Sequence, residues 1–229
     1  MALCAVEQTL RIIHENSRTV GHFLWMLGPL SPAVTAMMSS QTRNMVILRP
    51  TKKLRSLLPP VDLGSRMSDT ALGDWYVNRV VVDWQPLLLL VSSTSLLPVL
   101  VPARSVRGLP RRLASIVESR LGRCGIDQRA IDAEVLAMAS VAIAPTADRS
   151  ILGIMVDFAK DIPYYLESGQ WDETTLRTVE ERLAETPCHA GQSSDRVIFP
   201  EKKAPELLRD KWLANMPLQP TSGARTVVH

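Results

Sequence analysis

Leu72–Ala103 reads LGDWYVNRVVVDWQPLLLLVSSTSLLPVLVPA, and this tract decides the fold. Trp75 to Trp84 has the spacing of a strand. Tyr76, Asn78, Val80 and Val82 lie on one parity, and Trp75, Val77, Arg79, Val81 and Asp83 on the other. Neither parity is purely polar, so part of this strand is sandwiched. Gln85-Pro86 reads as a turn. Leu87–Val91 and Leu96–Val101 read as the next two strands, with Ser92-Ser93-Thr94-Ser95 turning between them. Connections this short cannot return a parallel strand, so the three neighbours are expected to pair antiparallel. Residues 84–103 carry no charge and approach the length of a membrane span. The serine cluster and Pro86, Pro98 and Pro102 favour two apolar strands around a polar turn instead.

Upstream, Met45-Val46-Ile47-Leu48-Arg49 begins a strand and Thr51 to Leu58 continues as a short helix. Residues 1–44 combine a short amphipathic pattern with a Gly/Pro/Ser/Met-rich stretch. They read either as a poorly packed extension, even an over-extended start, or as a helix docked through Phe23, Leu24 and Trp25. The apolar run around residues 20–38 follows mixed charges, so it lacks the basic lead of a signal peptide.

Downstream, the period changes to that of helices. Leu109, Leu113, Ile116, Val117 and Leu121 mark the first, with Pro110 in its opening turn and Gly122 and Gly125 at its end. Asp127 caps a second helix carrying Ile131, Val135 and Met138. Ser140–Ala144 is expected as a short strand. A helix from about Ser150 to Leu166 buries Ile151, Phe158 and Ile162, and Pro163 bends or ends it. A further helix starts at Asp172. Beyond Cys188, residues 197–200 suit an edge strand, 201–213 an amphipathic helix, and the last residues a disordered tail.

The chain of 229 residues has a formal net charge of +3, too small a bias to argue for nucleic acid. Three scattered cysteines, Cys4, Cys124 and Cys188, argue against a disulfide framework and suit a reducing compartment. No CxxC or HxxxH spacing exists, so no metal and no cofactor is expected. A P-loop is excluded, because there is no glycine-rich cradle and no GK[ST].

The leading candidate site is 145–158, PTADRSILGIMVDF. There a strand exits through Thr146 and a helix opens at Asp148, Arg149 and Ser150, whose backbone N–H groups suit an anion such as phosphate. Asp157 falls on the same helical side, two turns on. Asp148 and Ser150 are equally ordinary capping residues. Arg49, Lys52 and Lys53 form a second cationic cluster at the first strand–helix junction, and also suit a solvated helix face. Asp74, Trp75, Tyr76, Asn78 and Arg79 place polar groups beside aromatics, as a pocket or as turn chemistry. From 104 to 129, seven arginines face two carboxylates. From 157 to 185, eight carboxylates face three cations. The two blocks either neutralise one another or meet a charged partner. Cys188 and His189 are adjacent on a loop with no third orienting group, a poor basis for nucleophilic catalysis.

The combination VILRPTKKLRSLL, LGDWYVNRVVV, LLPVLVPAR, TADRSILGIMVDF and RLAETPC resembles an uncharacterised bacterial family, a domain of unknown function. The resemblance covers about residues 45–190. It implies a core beginning at Met45, and no activity. In that family's pattern the positions of Asp148 and Val156 are often Asn, which weakens a charge-based catalytic role for Asp148.

The expected architecture is α+β: an antiparallel meander sheet of about four to five strands with helices packed on one face. The domain organisation is expected as an extension (1–44), a core (45–190) and a partly disordered C-terminal extension (191–229). A cytoplasmic binding or regulatory module without catalysis is expected, its partner a protein or an anionic ligand. The alternative is an enzyme acting on a phosphate-bearing or nucleic-acid-related substrate at the helix start near residue 150.

Overall fold

Short connections force Trp75 to Pro102 into hairpins, and longer ones build the rest of the sheet around them. The computed structural model describes residues 44–58, 67–104, 106–166, 169, 172–189 and 197–214. The elements in chain order begin with β1 (Met45–Pro50), α1 (Lys52–Arg55), β2 (Trp75–Val82), β3 (Gln85–Ser92) and β4 (Pro98–Pro102). Then come α2 (Leu109–Gly122), α3 (Gln128–Ala137), β5 (Ser140–Ile143), α4 (Arg149–Tyr165) and α5 (Glu173–Glu185). The two-residue strands β6 (Cys188–His189) and β7 (Val197–Ile198) precede α6 (Pro200–Leu208), which runs into a π-helical turn, Arg209–Leu213. The expected extension 1–44 lies, apart from Asn44, outside the described residues, as does the tail beyond 214.

Among the described residues, five strands form one sheet in the order β4-β3-β2-β1-β5. β2–β3 and β3–β4 pair antiparallel. β1 runs parallel to both β2 and β5. The sheet is therefore mixed, which corrects the purely antiparallel meander. The physical reason is connection length: residues 51–74 and 103–139 are long enough for crossovers, and parallel neighbours require them.

Helices cover both faces of the sheet, which corrects the one-sided packing. Val46, Leu48, Trp75, Val77, Leu88 and Leu90 form one core layer with Leu109, Leu113, Val117 and Leu121 of α2, Ile131 of α3, and Ala204 and Leu208 of α6. Tyr76, Leu87, Leu89 and Val91 form the other with Ile151, Met155, Phe158 and Ile162 of α4 and Leu176, Val179 and Leu183 of α5. Alternate residues of β3 thus enter opposite layers, so an unbroken run of leucines is buried on both sides. Because α6 reaches the core, packing continues past the boundary expected at 190.

The β2–β3 turn falls at Asp83-Trp84, since Val82 pairs with Gln85, rather than at Gln85-Pro86. Both turn residues have positive φ, 45° and 66°, the geometry that matches strand twist in a two-residue hairpin. Gly73, at φ 69°, lies so close to Ser93 and Thr94 that a side chain there has no room. No described helix is long and apolar enough to cross a membrane.

The C-terminal turn is fastened by a buried carboxylate. Glu134 of α3 accepts from Ala71 N (2.7 Å), Leu72 N (3.0 Å) and Trp212 Nε1 (2.7 Å). It occupies an apolar position of the α3 stripe, beside Ala130 and Ile131.

Candidate functional site

The chain after β1 and the chain after β5 leave toward opposite faces. Leu54 of α1 joins the layer of α2, whereas α4 lies in the other layer. The carboxyl ends of two such parallel neighbours bound a crevice, the usual ligand position in open α/β sheets. Arg49 at the end of β1 donates through Nη1 to Pro145 O (2.7 Å) and through Nε to Asp74. Asp74 also accepts from Ser68 Oγ, and its own N–H donates to Ser93 Oγ (2.8 Å). Thr51 Oγ1 donates to Asn78 Oδ1 (3.1 Å), and Asp148 N donates to the Tyr76 hydroxyl (3.0 Å). Arg49 thus reaches the chain that leads into α4, through the Pro145 carbonyl; among the described residues no bond joins Lys52 or Lys53 to Arg149.

Within this place the individual candidates differ. Asp148 caps α4, accepting from Ser150 N (2.7 Å), so one of the helix-start N–H groups is already satisfied. Lys52, Lys53, Arg149 and Ser150 are exposed and Thr146 is half-buried. Asp157 stands apart: seven residues beyond Ser150, it is about 10 Å further along the helix axis. There it pairs with Lys160 (3.0 Å) and lines a small cavity with Asp161, Cys188 and His189. The Cys188 thiol is pushed up to about 11, first by burial and then by the charges of Asp157 and Asp161. Such a thiol is a poor nucleophile at neutral pH. Among the described residues no cluster of His, Cys, Asp and Glu is placed to hold a metal ion.

A cavity of about 420 Å³ lies elsewhere, at the free edge of β4 between α2 and α5. Its floor is Val99 to Pro102, and its walls include Ile116 and Ser119 of α2, Arg123 just past its end, and Leu176, Arg177 and Glu180 of α5. A second cavity of about 230 Å³ shares Pro102, Arg104 and Leu176 with it, so Arg104 stands where the two meet.

The back of the cavity is an ionic network. Glu180, its side chain 3% exposed, accepts from Leu100 N (2.6 Å) and pairs with Arg123; Arg120 Nε is 3.8 Å away. Arg120 also donates to Pro98 O (3.3 Å) and Glu180 O (3.4 Å). Burial pushes the Glu180 carboxyl above the usual carboxylate range, against the Leu100 hydrogen bond and the two arginines. Desolvation likewise raises the neighbouring Cys124 thiol.

Arg120, Arg123 and Glu180 were legible as charge blocks but not as a site. One signal was present. Arg120 falls on the α2 stripe of Leu113, Val117 and Leu121, and Glu180 on the α5 stripe of Leu176, Val179 and Leu183. A charge on an apolar stripe has to find a partner inside.

A family model described as "Domain of unknown function (DUF6933)" matches residues 47–203. No curated protein and no solved structure matches the chain.

Proposed function

The chain belongs to that family of unknown function, and from this premise we propose that it is a non-catalytic binding domain whose ligand enters the cavity at the β4 edge. The observation that carries this is the cavity itself. At about 420 Å³ it lies within the range of about 300–1,000 Å³ typical of small-molecule sites. It combines apolar walls with convergent charged groups, one of them a buried carboxyl held out of its ordinary range. No nucleophile–base pair lines it, which favours binding over chemistry. The free cysteines Cys124 and Cys188 suit a reducing compartment.

Fragment titration followed by amide NMR tests this. Small amphiphiles are expected to shift Leu100, Val101 and Leu176, and Ser115→Trp, which fills the cavity from an exposed position on α2, is expected to abolish those shifts. Fragments that bind Ser115→Trp as well as the natural protein would sink the proposal.

The Arg49–Pro145 bond favours a second reading, an enzyme taking a phosphate-bearing substrate at the carboxyl ends of β1 and β5. Arg149, Lys52 and Lys53 would draw the anion there. Inorganic phosphate is then expected to shift the amides of Thr51 and Ser150. Silence at both positions removes this reading.

A further inference from the structure

The occupant of the β4-edge cavity can be narrowed by asking what the edge refuses and what its charges lack. An added peptide strand is refused. Leu100 N points outward, since it bonds to Glu180, and residues two apart on a strand share an edge. Positions 98 and 102 therefore also face outward, and both are proline with no N–H to donate. Pro98 O is already taken by Arg120. An incoming strand would find no backbone donor on β4 and one buried carboxylate in its way.

The charges lining the cavity are unequally satisfied. Each carboxylate has donors: Asp172 accepts from Thr175 N (2.7 Å) and Thr175 Oγ1 (2.9 Å), Glu173 pairs with Arg177 (2.5 Å), and Glu180 is held as described. The cations are not so well supplied. Arg104 is exposed and has no hydrogen-bonding or ionic partner among the described residues, whereas the Nε groups of Arg123 and Arg177, also without an acceptor, are sealed from the cavity. The unspent Arg104 guanidinium beside apolar walls matches an acceptor with a fixed pair of oxygens and an apolar body.

We propose that the cavity takes a small organic anion, with a carboxylate or phosphate on Arg104 and Arg177 and an apolar body along Val101, Ile116 and Leu176. This rests on the reading of the cavity as the ligand site. Arg104 stands at the junction with the second cavity, so the charged group sits between two arms into which the ligand can extend.

The test is an amide NMR titration of the full chain with hexanoate, hexyl phosphate and the neutral hexanol, repeated on Arg104→Gln. Arg104 is exposed, so this variant keeps the fold. Both anions are expected to shift Leu100, Val101 and Leu176, and the stronger of the two identifies the headgroup. Hexanol is expected to bind about 10-fold more weakly, and Arg104→Gln to weaken the anions about 10-fold while leaving hexanol unchanged. If hexanol binds as tightly as the anions and Arg104→Gln changes nothing, the anion assignment is overturned and the cavity remains a ligand site. If none of the three shifts those amides, the cavity reading falls with it.

Discussion

Replacing Glu180 by alanine tests the physics of the cavity wall directly. The carboxylate is the acceptor for the free-edge N–H of β4 and the counter-charge for Arg120 and Arg123. Both Glu180 and Arg120 have side chains only 3% exposed, so water cannot take over. Removing one member of a buried pair strands the other, which costs about 3–5 kcal/mol. For a domain of this size that corresponds to a fall in Tm of roughly 6–20 °C. Glu180→Gln retains an acceptor for Leu100 N and loses less. Arg120→Met combined with Glu180→Leu removes both charges and is expected to recover much of the loss, a coupling that a double-mutant cycle reads out. Urea unfolding at one pH of the natural protein, Glu180→Ala, Glu180→Gln, Arg120→Met, Glu180→Leu and the double variant supplies the free energies. If Glu180→Ala costs below about 1 kcal/mol, the network is not a buried lock, and the description of the β4 edge is wrong.

The same group predicts a pH dependence. A carboxyl raised on folding contributes stability that is full below its ordinary value of 4.5 and is lost as pH climbs through the folded value. The stability of the natural protein relative to Glu180→Gln should therefore fall as pH rises above 4.5; a flat difference in urea midpoints contradicts this. Cys188 should alkylate about 100-fold more slowly at pH 8 than an ordinary thiol, by thiolate fraction alone, and peptide mapping after iodoacetamide measures it; labelling at the free-thiol rate would refute its burial. Gly73→Ala should cost about 2 kcal/mol or more, from the positive φ and the contact with Ser93 and Thr94. A thermal midpoint matching that of the unsubstituted protein would show that the turn accommodates a side chain.

Local rules alone determined the central hairpins and the helices. A two-residue turn and a serine-rich one leave β2, β3 and β4 no arrangement but antiparallel neighbours, and the 3.6-residue stripes of α2, α4 and α5 are written in Leu113, Phe158 and Val179. The double coverage of the sheet, where one-sided packing was expected, had a signal in Leu87–Val91, four leucines and a valine with no polar alternation. Tertiary structure decided the rest. The parallel pairing of β1 with β2 and β5 depends on crossovers long enough to return in either direction, so no local turn dictates it. The meeting of Arg120 and Arg123 with Glu180, some sixty residues apart, depends on both helices closing over one edge strand. Two charges on two apolar stripes announce that each needs a partner; which partner, and what cavity opens beside them, is set when the layers pack.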